Sequence, residues 1–371
     1  MIAFNVSRHI LTVGEEYRDH RGGIAGVINT YSKYLADFKF ISTYKPQPNK
    51  LLGIPYYLKA VIVLIVKLTR DKEIRIVHIH GAAKGSFFRK LIIFLIAKKL
   101  FKRQVIYHIH GSEFQVFFNK GGVVKTLIKK LINNVDMVIC LSRKWETFFQ
   151  ENFEQKNLVV LENIIERPRQ VEKLNSSFSI KILFLGRIGV RKGIFDLLDV
   201  IKENKQALDG KLQLIVGGDG EVEKLLHFVA ANDLESIVRY EGWVSGSKKT
   251  ELLCESDIYI LPSYNEGLPL SILEAMSYEL PVISTPVGGI TEIVHHMING
   301  FIVNPGDKLS LYSALEMFIN KPELIKSMGV LSHSIVSPYY ADAVIPKLSS
   351  IYEKLLKKEL SPVDLMPSPV C

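Results

Sequence analysis

The chain of 371 residues carries 47 Lys+Arg against 38 Asp+Glu, a formal charge of +9, and 47% of it is hydrophobic. That is too long for one compact core and too apolar for disorder, so two domains with real cores are expected. The 3 cysteines, Cys140, Cys254 and Cys371, are widely spaced and odd in number, which argues against a disulfide framework and for a reducing compartment. The opening residues MIAFNVSRH lack a basic start and a long apolar run, so no leader is expected. The longest apolar runs, 60–66 and 91–97, fall short of the roughly 20 residues a bilayer span needs. A cytoplasmic chain is expected. Charge is uneven: residues 1–175 hold 29 Lys+Arg against 14 Asp+Glu, the remainder 18 against 24. The first half therefore suits an anionic partner and the second does not. The basic residues are spread over many helices with no aromatic stacking platform, which disfavours nucleic acid.

Short β-rich runs alternate with amphipathic stretches, the pattern of parallel α/β architecture. In the first half strands are expected at 10–13, 74–80, 104–109 and 137–141, and helices at 26–36, 84–100 and 123–133. After the first strand comes RGGIAGV, where Gly22 and Gly23 allow a backbone to approach a phosphate closely, though paired glycines also punctuate many loops. The tetrapeptide HIHG occurs at 78–81 and again at 108–111, an offset of 30 residues, about one strand-helix-strand unit. Both copies are then expected at the carboxyl ends of neighbouring strands, where open α/β sheets place ligands. His-x-His pairs can ligate metals, but no carboxylate or cysteine with ligand spacing accompanies them, so metal is disfavoured. His78 and His108 read better as satisfied core histidines. His110, last before Gly111, is the one placed to reach a ligand.

The polar stretch at 166–179 reads as a linker, and strands follow at 181–185, 212–216, 258–261 and 281–284. The first ends in GRIGVRKG, where Arg187 and Lys192 flank a glycine turn. An exposed basic turn is the bland alternative, but this half is net acidic. Cations grouped there suit the charge of a departing nucleoside diphosphate. The run VGGDGE at 216–221 resembles a dinucleotide fingerprint without its third glycine and carries little weight. The densest cluster is LPSYNEGLPLSILE at 261–274. Pro269 suits a first helical turn, so the amides of Gly267, Leu268 and Leu270 are expected at a helix N-terminus, an anion site. Glu274, inside that helix, can accept hydrogen bonds from ribose hydroxyls. Glu266, in the loop, can orient sugar hydroxyls or stabilise positive charge at an anomeric carbon. No Asp-x-Asp pair occurs; enzymes that clamp a sugar nucleotide through a divalent cation commonly use one, and no metal or other cofactor is expected here. A helix at 343–358 and a frayed tail at 361–371 close the chain.

The run from Glu241 to Val294 resembles the family-four retaining glycosyltransferases. Glu266 and Glu274 match that family's E-x7-E motif, GRIGVRKG its G-R-x4-K-G phosphate loop, and NGFIVNPGD at 299–307 a later segment. The likeness is dense over 180–310 and looser before 165, where RGGIAGV, HIHG and CLSRKW match in order. One departure is the polar start, Asn5, Ser7, Arg8 and His9, ahead of the first strand. The resemblance implies the GT-B fold: an acceptor domain at 1–165, a linker at 166–179, a nucleotide-sugar domain at 180–337 facing it across a cleft, and a helix at 338–360 returning to the first domain. Both domains would be Rossmann-like, each a doubly wound parallel sheet. It implies donor phosphates at Arg187, Lys192 and the Gly23 loop, the ribose at Glu274, and the sugar beside Glu266 and His110. The base would be read near Gly242 and Val244 through the backbone. Transfer would retain anomeric configuration without a covalent nucleophile, to a glycan or lipid-linked acceptor in bacterial surface-polysaccharide assembly. Other readings of the same fold are a sugar-nucleotide epimerase and a non-catalytic nucleotide-sugar-binding subunit; a metal-dependent hydrolase on the His-x-His pairs is a further one. The segments 87–103 and 125–133 mix apolar and cationic residues at helical spacing. One of them is expected either to rest on anionic lipid or to pack on its sheet with the lysines solvated.

Overall fold

The computed structural model describes residues 1–18, 22–46, 49, 52–168 and 179–359. Most of the linker at 166–179, and all of the tail at 361–371 with Cys371, lie outside the described residues. The chain divides into two compact units, Met1–Ile164 together with the last helix, and Ile165–Tyr340.

Unit 1 is built on a parallel sheet of β1 (Ile10–Gly14), β2 (Lys39–Ser42), β3 (Ile76–Gly81), β4 (Gln104–Ile109), β5 (Met137–Cys140) and β6 (Leu158–Val160), in the order β2-β1-β3-β4-β5-β6. The four inner strands are buried along their whole length, as expected of strands covered on both faces. The helices are α1 (Phe4–Ser7), α2 (Gly23–Tyr34), α3 (Gly53–Arg70), α4 (Gly85–Phe94), α5 (Phe114–Asn119), α6 (Gly122–Ile132) and α7 (Arg143–Asn152). The helix expected at 84–100 ends at Phe94 and continues as a π-helical segment, Leu95–Leu100.

Unit 2 repeats the plan with β7 (Ile180–Leu185), β8 (Leu212–Gly217), β9 (Val238–Tyr240), β10 (Ile258–Leu261), β11 (Val282–Ser284) and β12 (Gly300–Ile302), ordered β12-β11-β10-β7-β8-β9 and parallel throughout. Its helices are α8 (Ile194–Glu203), α9 (Lys205–Leu208), α10 (Val222–Ala231), α11 (Gly246–Glu255), α12 (Leu270–Ser277), α13 (Lys308–Asn320) and α14 (Glu323–Ile335). The chain enters and leaves this unit side by side: Ile165 donates its N–H to Tyr339 O at 3.0 Å and bridges to Tyr340. The last helix, α15 (Ala341–Glu359), belongs to unit 1, where Gln104 Nε2 donates to Leu355 O at 3.0 Å.

In both sheets the winding reverses once, between β1 and β3 in unit 1 and between β7 and β10 in unit 2. Connections leave the two middle strands in opposite directions, so a crevice opens beyond their carboxyl ends. In unit 2 that crevice is bounded by the loop after β7 and the loop after β10, the two richest motifs of the sequence.

The β7 loop is tied to the β10 loop through Gly193, whose φ is 70° and whose added Cβ would lie 2.0 Å from Pro262 O. Gly193→Ala should therefore cost about 1–3 kcal/mol from the backbone conformation alone, and more from the clash. Urea unfolding measures it; a loss below about 0.5 kcal/mol, the range of ordinary surface changes, would contradict this packing.

Candidate active site

At the unit 2 crevice, β7 ends in Gly186, Arg187, Ile188 and Gly189, followed by a 3-10 turn, Val190–Lys192, and the start of α8. Gly218, in the run that looked like a dinucleotide fingerprint, is needed for packing: a Cβ there would lie 1.8 Å from Gly186 O. Arg187 is exposed and makes no hydrogen bond or ion pair among the described residues. Lys192 instead turns inward and donates to Glu266 Oε1 at 2.5 Å, and Ser263 Oγ donates to the same oxygen at 2.8 Å. Arg191 lies 3.9 Å from the other Glu266 oxygen and donates to Asn265 O at 2.8 Å. Glu266 is only 7% exposed. The carboxylate and the ammonium, read from the sequence as parts of two separate motifs, form one buried ion pair. Lys192 keeps two further N–H donors for an anion.

Helix α12 begins at Leu270 with Pro269 as its N-cap, at ψ 125°, so Pro269 stands just before the first turn and not within it. The residue before it, Leu268, is buried, and Gly267 O accepts from Gly289 N at 2.7 Å, which fixes the loop. The amides of Gly267 and Leu270 find no acceptor among the described residues. Glu274 is already engaged: Lys249 of α11 donates to it at 2.6 Å. No local pattern marks Lys249, whose distance along the chain from Glu274 hides a contact made only by packing α11 near α12. Gly242 O accepts from Gly218 N at 2.7 Å, and Val244 is buried, its Cγ2 2.7 Å from where a Cβ on Gly217 would lie. The backbone near Gly242 and Val244 is therefore held firmly.

In unit 1, Gly22 caps α2 and Gly23 opens it; a Cβ on Gly23 would meet nothing within 4 Å. The four HIHG imidazoles form a stack on the sheet. Ladder register sets His80 opposite His108, two residues out of step with the sequence repeat. Ring contacts nevertheless join repeat partners: His78 Nε2 to His108 Nδ1 at 3.2 Å and His80 Nδ1 to His110 Nε2 at 2.9 Å. His78 Nδ1 also meets Tyr352 OH of α15 at 2.7 Å. His78 is thus satisfied, whereas His108, expected to be, keeps a buried Nε2 with no partner among the described residues, as does His80. His110 is the half-buried end of the stack. Burial pushes His78 and His110 down to about 3 and drives His80 and His108 well below the usual imidazole range. His78, His80 and His108 offer ring nitrogens within 4.8 Å of one another. A metal there would have to displace a hydrogen bond of His78, whose two nitrogens are both engaged.

The profile described as glycosyl transferases group 1 matches residues 166–330, a span that includes both loops of the unit 2 crevice. The chain is a glycosyltransferase, similar over that span to the group 1 family. It is 28% identical over 366 residues to an uncharacterized glycosyltransferase of Haemophilus influenzae, covering 92% of this chain and 98% of the relative. It is 31% identical over 143 residues to the amylovoran biosynthesis glycosyltransferase AmsK of Erwinia amylovora, over 37% of this chain and 35% of that one. Among solved structures, Anabaena HepE in complex with UDP and glucose superposes with a TM-score of 0.74 at 18% identity, covering 94% of this chain and 99% of that one. That likeness gives the glycosyltransferase the GT-B fold class.

The stacked imidazoles make a pH prediction. Their folded pKa values lie below the ordinary 6.5, so the unfolded chain binds more protons between those values. The stability they contribute is complete above about pH 6.5 and is lost as pH falls through it. By pH 5 each fully buried ring should cost about 2 kcal/mol. Urea unfolding of the glycosyltransferase at pH 7.5 and pH 5 checks this against His108→Gln, which should shrink the difference by about one ring's share. An unchanged difference would mean that His108 is protonated in the fold.

Proposed function

We propose that this glycosyltransferase takes its sugar from a nucleoside diphosphate donor, retains the anomeric configuration and uses no divalent metal. The observation that carries the reading is the charge at the β7/β10 crevice. Arg187 stands exposed with no protein partner among the described residues, beside the buried Lys192–Glu266 pair and the amides of Gly267 and Leu270. Fixed donors of this kind stabilise a diphosphate as its negative charge grows, and they do so without reorganising. The lack of any Asp-x-Asp pair in the sequence supports charge neutralisation by Arg187 and Lys192. Glu266, held by Lys192 and Ser263, is positioned to orient sugar hydroxyls. Glu274 would exchange Lys249 for, or share it with, the ribose. Retention follows if the acceptor attacks the face the diphosphate leaves, assisted by a phosphate oxygen that takes the acceptor's proton. HepE, solved with UDP and glucose, supports the donor class. The amylovoran relative supports a role in bacterial polysaccharide assembly on a glycan or lipid-linked acceptor.

Arg187→Ala should lower turnover by about 100-fold or more with Tm unchanged, because its guanidinium makes no hydrogen bond or ion pair among the described residues. Lys192→Ala should lower both, since it leaves a buried carboxylate to Ser263 and the more distant Arg191 at a cost of about 3 kcal/mol. Glu274→Ala should weaken nucleotide binding about tenfold, the worth of one hydrogen-bonded group. Rates should survive excess chelator. Steady-state kinetics, thermal melts and calorimetry read these; wild-type turnover in Arg187→Ala refutes the leaving-group role.

For unit 1 we propose an acceptor role at the cytoplasmic face of a membrane. Among the described residues no helix is long and apolar enough to cross one. Of the two segments considered, α6 packs Ile128, Leu131 and Ile132 into the core, whereas α4 and its extension expose Phe88, Ile92, Leu95 and Leu100. A longer stripe lies on α3, which the sequence reading passed over: Ile54, Leu58, Ile62, Ile65 and Val66 are exposed on one side, with Lys59 and Arg70 at its edge. Apolar side chains edged by cations fit an anionic lipid surface. Liposome flotation should recover the protein with anionic vesicles and lose it with Leu58→Glu/Ile62→Glu; equal recovery on neutral vesicles would end the idea.

A further inference from the structure

Unit 1 has its own reversal of winding, between β1 and β3, and a cavity of about 190 Å³ opens there. Its walls include Glu15 just past β1, Tyr44 past β2, His80 on β3, and Ser86, Arg89 and Lys90 on α4. Pockets for whole drug-sized ligands run to roughly 300–1,000 Å³, so this one suits a single small group at the end of a larger molecule.

The chemistry of the walls is unbalanced. Lys90 is 1% exposed, yet among the described residues its ammonium has only neutral acceptors, Gly14 O at 3.3 Å and Thr43 Oγ1. A buried ammonium ordinarily faces a carboxylate, because neutral dipoles replace lost water poorly. Here its neighbour is a second cation. Arg89 lies over the Tyr44 ring at 4.7 Å and has a buried Nε with no partner. Glu15 is the carboxylate whose charge acts on both. The third N–H of Lys90, Nε of Arg89 and Nε2 of His80 are all unspent among the described residues. Burial, followed by the charge of Arg89, pushes Lys90 down to about 7 despite the opposing charge of Glu15, so a bound anion would favour its charged form.

We propose that this cavity receives an anionic group of the acceptor, a carboxylate or a phosphate ester, bound by Lys90 and Arg89 with His80 as a further contact. The inference rests on the reading of unit 1 as the acceptor side. It narrows the acceptor to a charged one. A carboxylate on a sugar ring and a phosphate on a sugar or lipid headgroup share this chemistry.

The test is calorimetric titration of the full chain with glucuronate, glucose 6-phosphate and glucose, and separately with UDP. At least one charged sugar should bind about tenfold or more tightly than glucose, and which one does tells carboxylate from phosphate. Arg89→Gln, at the cavity rim, and Lys90→Met should each weaken that binding about tenfold and leave UDP affinity unchanged. Arg89→Gln alone decides the matter if Lys90→Met lowers Tm. The proposal fails if glucose binds as well as the charged sugars, if neither charged sugar binds at millimolar concentration, if Arg89→Gln has no effect, or if UDP displaces the sugar. Loss of the donor reading has a different signature, UDP that does not bind or that ignores Arg187→Ala.

Discussion

A parallel sheet wound in both directions must have one place where neighbouring strands send their connections to opposite faces, and the structure depends on that constraint twice. Nothing covers the carboxyl ends of the two strands at the reversal, so loops there are free to carry chemistry while the strands beneath hold them rigid. In unit 2 the reversal brings the ends of β7 and β10 together, although they lie far apart in the chain. The GRIGVRKG motif and the paired-glutamate motif are neighbours only because of this topology. In unit 1 the same reversal opens the cavity above β1 and β3.

What fills the unit 2 crevice is fixed charge of two kinds. Lys192 and Glu266 neutralise each other in a buried pair with Ser263. Such a pair adds little to stability over an apolar filling but strongly resists the loss of one member. It acts best as a strut that orients a carboxylate. Arg187 is the opposite case, an exposed guanidinium whose charge the fold does not consume. A catalyst that stabilises developing charge needs both, a positioned group and an unspent one. Binding free energy then goes to the ligand and not to rearranging the protein.

Unit 1 works with neutral rather than fixed charge. Four imidazoles stacked on two strands, capped by Tyr352 from α15, cannot all be charged in so little water. The stack ties the last helix to the centre of the sheet through His78, and it ends at half-buried His110. Lys90 nearby is an amine that burial pushes down to about 7, so it is part-charged at neutral pH. What marks the cavity as suited to an anion is Arg89 and the part-charged Lys90 gathered beside an uncharged His80.

Eight strands were legible in the sequence, because inner strands covered on both faces read as unbroken apolar runs. The four that were not, β2, β6, β9 and β12, are the four sheet edges. Each has only 3 or 4 residues, and all but β12 are mostly half-buried, so their composition does not stand out from loops. Helix α3 escaped notice because its exposed side is apolar as well as its buried one. The residue types of the site, the glycine turn, the two glutamates, the cations and the histidines were all set by the sequence, since each is a local requirement of backbone or charge. Which of them touch was decided only by tertiary structure. That Lys192 is spent on Glu266 and Arg187 on nothing among the described residues, that Lys249 reaches Glu274, and that Lys90 is buried against Gly14 and Thr43 all depend on contacts between segments distant along the chain. No local pattern encodes a distance across a strand-order reversal.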